Sequence, residues 1–124
     1  MATTAPLRLP RTRRLQQSGD FARLKTAGRR IISGCMIFNW LTLPPGASSR
    51  LGVITARRMG GAVVRSRGRR LLREVFRRHQ WDLKQPVDLV LVARDSLARS
   101  KYDQVERDYL QALRKAGLLN QTTE

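Results

Sequence analysis

The stretch AVVRSRGRRLLREVFRRH, residues Ala62–His79, holds seven arginines and a single acid, Glu74. An α-helix advances by about 100° per residue. On that wheel the larger apolar side chains fall on one side: Val64, Leu71, Leu72, Val75 and Phe76. Arginines occupy the other side: Arg69, Arg70, Arg73, Arg77 and Arg78. A strand would mix the two sets, so the pattern predicts an amphipathic helix that packs its apolar side on a core and turns its arginines outward.

The density of like charge in this segment argues against a merely solvated face. Arginines four residues apart on a helix repel each other, as in Arg65/Arg69 and Arg69/Arg73, and a solubilising surface would mix signs. The whole chain of 124 residues has the same bias, with 25 Lys and Arg against 9 Asp and Glu and a net charge of +16. A polyanion would relieve this repulsion. Nucleic acid is the most common such partner, and an anionic membrane surface is the other candidate.

Three segments outside this helix carry strand patterns. Residues 31–43 and 50–57 are rich in β-branched and aromatic residues and are separated by a loop with two prolines and a glycine, so we expect them to pair as antiparallel strands. Residues 87–94, VDLVLVAR, are nearly all apolar, as in a central strand covered on both faces. The predicted order is α-β-β-(β)-α-β-α, which makes a single small α/β sandwich of the α+β class.

Two further helices are predicted near the ends of the chain. Ser18 can cap a short first helix that Gly28 ends, with Phe21 and Leu24 on one face. Gly117 ends the last helix. Four larger side chains and one alanine follow helical spacing in that last helix: Tyr102, Val105, Tyr109, Leu113 and Ala116.

Side chains that could perform hydrolysis are few. A catalytic pair of carboxylates needs two acids that converge. The acids of the C-terminal half lie at strand, turn or helix-surface positions, where they are expected to solubilise or cap: Asp88, Asp95, Asp103, Glu106 and Asp108. His79, the only histidine, is interpreted as a structural residue or a cation at a helix C-terminus. Cys35 is interpreted as a small core residue. The sequence therefore predicts no catalytic residue and no metal site.

The composition of the N-terminal residues predicts an extended basic arm over residues 1–13. Four arginines precede the first acid, Asp20, among prolines and small polar residues. An organellar transit peptide has a similar composition, but a basic arm on a cytoplasmic protein is the preferred interpretation. A chain with one cysteine cannot form an intramolecular disulfide, which fits a reducing compartment. No apolar run approaches the ~20 residues that span a bilayer, so no membrane partner is expected.

The segment RLGVITARRMGGAVVRSRGRRLLREVFR, residues 50–77, resembles the protein subunit of bacterial ribonuclease P. The family pattern has a strand with Gly, paired basic residues, Gly, Ala-Val, an Arg-Asn-Arg triplet and a basic helix. The matching positions are Gly52, Arg57, Arg58, Gly60, Ala62, Val63, Arg65, Ser66, Arg67, Arg69, Arg70, Leu71, Arg73 and Glu74. Outside this segment, RLQQSGDF (residues 14–21) and VDLVLVAR resemble the family's opening helix and last strand. The resemblance covers roughly residues 11–118.

The resemblance implies that the chain joins a catalytic RNA that removes the 5′ leader from precursor tRNA. The RNA and its metal ions would perform the hydrolysis, so the chain would be an endoribonuclease subunit without catalytic residues of its own. No cofactor is expected on the protein alone, and Mg²⁺ is expected in the RNA–protein holoenzyme, with one protein per RNA. The implied fold includes a left-handed crossover through the basic helix. The implied domains are the arm 1–13, an RNA-binding domain 14–118 and a tail 119–124.

The resemblance also implies two sets of site residues. Contacts to the catalytic RNA are expected from Arg14, Arg57, Arg58, Arg65, Ser66, Arg67, Arg69, Arg70 and Arg73. Contacts to the leader are expected from Phe21, Lys25 and Asn39. The chain departs from the family pattern at three of these positions, because Ser66 replaces an asparagine while Lys25 and Asn39 replace aromatics. Leader binding is therefore expected to depend more on charge and less on stacking.

Three other classes of protein remain as alternatives, and the first of them, a ribosomal protein, fits the size and charge of the chain equally well. A ribosomal protein of this size is the closest of them, although ribosomal proteins often carry long Lys-rich extensions, whereas here the basic residues lie mainly on one helix. An architectural DNA-binding protein would usually be a dimer with a β-arm and wedge residues, for which the sequence shows no pattern. An independent nuclease would need clustered acids or metal ligands.

Overall fold

Four strands and two long helices make up the part of the chain that the structure, a computed structural model, describes: Leu24, Ala27 and residues 28–119. The elements in chain order are β1 (Arg29–Ser33), β2 (Met36–Thr42), β3 (Arg50–Ile54), α1 (Ala62–His79), β4 (Val87–Ala93) and α2 (Tyr102–Ala116). Short 3₁₀ turns cover Arg57–Met59, Gln80–Asp82 and Asp95–Arg99. The strands form one mixed sheet in the order β1-β2-β4-β3.

The segment 31–43, predicted as one strand, is a hairpin of two. Ser33 pairs with Met36, which leaves a turn of two residues, Gly34 and Cys35. Gly34 has a φ of 56°. A positive φ at the first central position is what glycine supplies in tight hairpins, and L-residues rarely adopt it. The apolar sequence pattern continues through the turn because Cys35 is buried like Met36 beside it. Only the glycine indicates where one strand ends and the next begins.

The expected antiparallel pair of residues 31–43 with 50–57 is wrong, because β4 lies between them. Phe38 of β2 faces Leu91 of β4 in an antiparallel pair, and Gly52 of β3 faces Val90 of β4 in a parallel pair. Every residue of β4 except Val92 is buried. The most apolar strand therefore takes a central place, as its composition predicts. Two parallel strands need a crossover connection, and α1 forms most of the connection between β3 and β4.

One face of the sheet packs against α1 and α2 to form the main core. Phe38 lies between Trp40 and Tyr109, with ring centroids 5.6 and 5.7 Å away. From α1, Leu72 and Phe76 are fully buried in the same cluster. The apolar stripe predicted for α1 is confirmed, since its remaining members (Val64, Leu71 and Val75) are buried or packed against this cluster.

The opposite face of the sheet carries the end of the first helix. Leu24 is buried against Val90, with Leu41 packed beside them. The N–H of Gly28 donates to the carbonyl oxygen of Leu24 (2.9 Å), so the helix ends at Gly28 as predicted. The predicted cap at Ser18 lies outside the described residues. Helical residues thus cover both faces of the sheet, and none of the described helices is long and apolar enough to cross a membrane.

Candidate nucleic-acid interface

The outward side of α1 carries a surface that we call the arginine belt: Arg65, Ser66, Arg67, Arg69, Arg70 and Arg73. Arg70 is exposed and makes no hydrogen bond or ion pair within the part of the chain that the structure describes. Arg65 is half-buried, and its Nε has no partner among the described residues. The flanks of the belt border the buried stripe of α1, so Arg65, Arg67, Arg69 and Arg73 are half-buried, while Ser66 and Arg70 are exposed.

Two arginines of the belt are held in place by neutral groups. Arg67 Nη2 donates to the carbonyl oxygen of Ser100 (2.6 Å). Arg69 donates through Nη1 to Thr55 Oγ1 (2.9 Å) and through Nη2 to Ser66 Oγ (3.2 Å). These partners fix the guanidinium groups without cancelling their charge. Ser66, which replaces the asparagine of the family triplet, thus supports Arg69 directly.

The C-terminal end of α1 is different, because its arginines face a carboxylate. Glu74 accepts from Arg77 Nε (3.1 Å) and Arg78 Nε (2.6 Å). The hydrogen bond from Arg77 is the main cause that lowers the pKa of Glu74 below its ordinary value, so this carboxylate is ionised and offsets their charge. Among the described residues, the positive charge without a carboxylate partner is therefore concentrated ahead of Glu74, at Arg65, Arg67, Arg69 and Arg70.

Gly68 lets a second pair of arginines approach the belt. This glycine is buried within α1, and a Cβ built on it would lie 2.8 Å from Met59 Cε. The turn Arg57–Met59 thus packs closely on the helix. Arg57 is exposed without a partner among the described residues, whereas Arg58 Nε lies 3.3 Å from the exposed Asp95 carboxylate. Glycine inside a helix destabilises it by roughly 1 kcal/mol relative to alanine. A glycine within a predicted helix is therefore the feature of the sequence that indicates such a close approach.

The outer face of the sheet holds the one predicted leader contact that the structure describes. Asn39 is half-buried there, and its Nδ2 donates to the carbonyl oxygen of Val90 (3.3 Å). Phe38 and Trp40 are buried on the opposite face, as strand alternation predicts. The other predicted leader residues, Phe21 and Lys25, lie outside the described residues, and so does Arg14 of the RNA-binding set.

A cavity of about 340 Å³ opens beside Ile37 and Val92, which pair across β2 and β4 on this outer face. Arg58, its partner Asp95 and Arg94 line it together with these apolar side chains. Arg94 is exposed and donates through Nη1 to the carbonyl oxygen of Gly34 (3.0 Å). Arg94 is not among the candidates predicted from the sequence, because it lies outside the arginine-rich helix and nothing local separates it from an ordinary surface arginine.

Two acids that were expected to solubilise or cap are instead buried. Asp88 is fully buried and accepts from Arg50 through both carboxylate oxygens, at 3.0 and 2.8 Å. Asp108 accepts from the N–H of Cys35 (2.9 Å), and its carbonyl oxygen accepts from Ser33 Oγ (2.8 Å). The expectation fails because their partners come from distant segments. Both acids hold elements of the fold together.

His79 and Cys35 also occupy structural positions. His79 Nδ1 lies 2.7 Å from Asp82 Oδ2 and its Nε2 lies 2.7 Å from Glu106 Oε2, which ties the end of α1 to α2. Burial is the main cause that raises the pKa of the Cys35 thiol to about 12, so it is not a nucleophile at neutral pH. Among the residues that the structure describes, no three His, Cys, Asp or Glu side chains come together as a metal site.

The fold and this surface define a class of protein: a small α+β domain whose crossover helix connects two parallel strands and presents uncompensated arginines. The comparison with known families narrows that class. The sequence model of the Ribonuclease P family matches residues 9–117, and the chain belongs to that family. This match does not favour the alternative that the chain is a ribosomal protein.

Individual relatives agree in sequence and in fold. The ribonuclease P protein component of Syntrophomonas wolfei is 33% identical over 110 residues, which cover 89% of this chain and 92% of the relative. The RNase P protein of Thermotoga maritima has a TM-score of 0.72 and 26% identity over 82% of this chain and 96% of its own. The RNase P protein of Staphylococcus aureus, at 22% identity, supports the fold, with a TM-score of 0.78 over 87% of this chain and 98% of its own.

Proposed function

We propose that this chain is the protein subunit that assists a catalytic RNA in removing the 5′ leader from precursor tRNA. The observation that carries the proposal is the arginine belt, in which Arg67 and Arg69 are positioned by neutral partners. A charged group that is fixed but not neutralised is prepared for an external anion, and bidentate contact with phosphate suits the guanidinium fork. RNA phosphates supply that anion along the length of the helix.

The contacts to the catalytic RNA extend over two adjoining elements. Arg57 and Arg70 are exposed without partners among the described residues, so their charge is available to phosphate. Arg65 has a buried Nε without a partner in the same part of the chain, so an RNA acceptor near its guanidinium would supply the missing counter-charge. We place Arg58 and Arg73 in the same interface, and we assign Arg14 to it as well.

Hydrolysis is assigned to the RNA partner and to the Mg²⁺ ions bound in the holoenzyme. Among the described residues, the acidic and imidazole groups with the best-defined partners are committed to the fold: Asp88 to Arg50, Asp108 to the hairpin turn, and His79 to two carboxylates. The proposal gives the protein no cofactor of its own. It places the protein in the cytoplasm, with one copy per RNA.

The leader is assigned to the outer face of the sheet. Asn39 lies on this face, and the cavity beside it combines apolar walls with Arg58 and Arg94. Such a surface can take a single strand, since bases contact the apolar walls and phosphates contact the cations. Phe21 and Lys25 of the first helix are assigned to the same site. Lys25 would offer a cation to the leader backbone where the family pattern has a ring.

Reconstitution with the cognate catalytic RNA tests the proposal. The protein alone should not cleave precursor tRNA in Mg²⁺, whereas protein and RNA together should. In the assembled enzyme, Lys25→Ala should weaken the affinity for precursor tRNA but not for mature tRNA, and high salt should shrink the loss. Arg70→Ala is the matched control, because it should weaken assembly with the RNA whichever tRNA is present.

Cleavage by stringently purified, RNA-free protein would contradict the assignment of hydrolysis to the RNA. Equal losses of affinity for precursor and mature tRNA in Lys25→Ala would contradict the leader assignment alone. Failure of the protein to bind the catalytic RNA would overturn the proposed function as a whole.

A further inference from the structure

A groove lies between α1 and the first turn of α2. It has a volume of about 390 Å³ and is lined by Arg67, Arg70, Leu71, Glu74, Arg78 and Tyr102. We call the apolar part of its lining, Leu71 and the ring of Tyr102, the floor, and the four charged residues of the lining the rim. An apolar depression within a strongly basic surface is unlike the rest of the arginine belt, whose residues are all charged or polar.

Two of the three cations on the rim, Arg67 and Arg78, are held in position. Arg67 is bonded to the carbonyl oxygen of Ser100 (2.6 Å), one residue beyond the turn that precedes α2. The guanidinium of Arg78 lies 5.0 Å from the centroid of the Tyr102 ring and donates to Glu74. Arg70 is exposed and has no partner among the described residues. Glu74, the only acid on the rim, is offset by its bonds to Arg77 and Arg78.

The floor of the groove is apolar in spite of the tyrosine hydroxyl. Tyr102 is half-buried, and its hydroxyl oxygen is buried without a hydrogen-bond partner among the described residues. Burial raises the pKa of Tyr102, so the ring remains neutral at physiological pH. The groove therefore offers a neutral aromatic ring and an aliphatic side chain next to fixed guanidinium planes.

We propose that this groove receives one unpaired nucleobase of the catalytic RNA, with the adjoining phosphate held by Arg67 and Arg70. The proposal rests on the proposed function and deepens it. A base has planar apolar faces that suit Leu71 and Tyr102, and its own phosphate matches the net positive rim. Base-paired RNA would not fit, since the faces of its bases are stacked in the helix and only its backbone and base edges reach a protein surface. The belt would then bind a bulged or looped nucleotide as well as duplex backbone.

Fluorescence of a base analogue tests this directly with the full chain. The probe is a short single-stranded RNA with one 2-aminopurine, and the comparison is the same strand in a duplex, at equal salt. Wild-type protein should quench the single-stranded probe and leave the duplex probe unchanged. Tyr102→Leu should abolish the quenching and weaken single-strand binding by roughly 5- to 150-fold, the range for loss of one stacked base. Tyr102→Phe, which keeps the ring and removes only the buried hydroxyl, should behave as wild type.

A second measurement does not depend on the folding of a variant. A 4-thiouridine in place of the 2-aminopurine should crosslink wild-type protein at Leu71 or Tyr102, as located by mass spectrometry. Arg57→Ala, outside the groove, should weaken single-strand and duplex binding alike, while the quenching at saturating protein stays unchanged.

The outcomes separate the two proposals. Crosslinks confined to residues outside the groove, or equal effects of Tyr102→Leu on single-stranded and duplex RNA, would overturn the base assignment and leave the proposed function standing. If the wild-type protein binds no RNA at all, the base assignment and the proposed function are both overturned.

Discussion

At the scale of single residues, Gly34 decides how α2 packs on the sheet. It forms the hairpin turn with a φ of 56°. A Cβ at this position would overlap the carboxylate of Asp108, which accepts from the N–H of Cys35 (2.9 Å) and from Gln104 Nε2 (2.9 Å). Glycine is therefore required twice at this turn, once by the backbone and once by the neighbouring helix.

The substitution Gly34→Ala should destabilise the protein by more than backbone strain alone. A positive φ costs an L-residue roughly 1–2 kcal/mol, and displacing Asp108 from its buried partner costs about 1–3 kcal/mol more. Gly117→Ala is the matched control, because Gly117 also has a positive φ (73°) but a Cβ there would meet nothing within 4 Å. Urea unfolding of both variants measures the difference. Equal losses in the free energy of unfolding would mean that the Asp108 contact contributes nothing.

At the scale of elements, α1 has two faces with separate roles. Leu72 is fully buried in the core, whereas Arg70 is exposed on the opposite side. Arg69 does not belong wholly to the outward face as the helical wheel predicts, since it bonds to Thr55 just after β3. The helix therefore connects to the sheet through its flank as well as through its apolar stripe.

The two faces of α1 should respond differently to truncation. Leu72→Ala leaves a cavity in the core and should lower the free energy of unfolding by about 2–5 kcal/mol. Arg70→Ala removes only an exposed charge, so its stability should change by no more than about 0.5 kcal/mol, while affinity for the catalytic RNA falls. Thermal melts and RNA titrations of both variants make the test. A stable Leu72→Ala or an unfolded Arg70→Ala would show that the faces are assigned the wrong way round.

At the scale of the whole molecule, the net charge of +16 controls association. Most of the described acids are already bonded to arginine, histidine or backbone groups. They therefore do little to screen the charge of the arginine belt. Binding to RNA should release condensed counterions, and the surrounding salt then competes with the protein for phosphate. Long-range attraction of the RNA should therefore be strong and dependent on ionic strength.

Affinity for the catalytic RNA should fall roughly a thousandfold between 50 and 200 mM salt if about six phosphates are neutralised. Arg57→Ala should reduce the slope of log affinity against log salt by about one, as expected for the loss of one phosphate contact. Fluorescence anisotropy at a series of salt concentrations provides both values. A nearly flat salt dependence of the wild-type protein would exclude the arginine belt as the main contact.

The sequence alone determined the features that depend on local periodicity. The two sides of α1, the central character of β4 and the ends of helices at Gly28 and Gly117 follow from side-chain spacing and from glycine, so nothing distant is needed to predict them. The motif in residues 50–77 likewise led to the family, since it lies in one continuous segment.

Only the tertiary structure decided which groups meet across the chain. Placing β4 between β2 and β3 depends on competition among strands for partners, which periodicity does not encode. The burial of Asp88 and Asp108 follows from partners 38 and 73 residues away, Arg50 and Cys35. The charge of Arg67 and Arg69 is kept for the same reason: neutral groups from other segments, Ser100 and Thr55, hold them, while Glu74 offsets the charge at the other end of the helix.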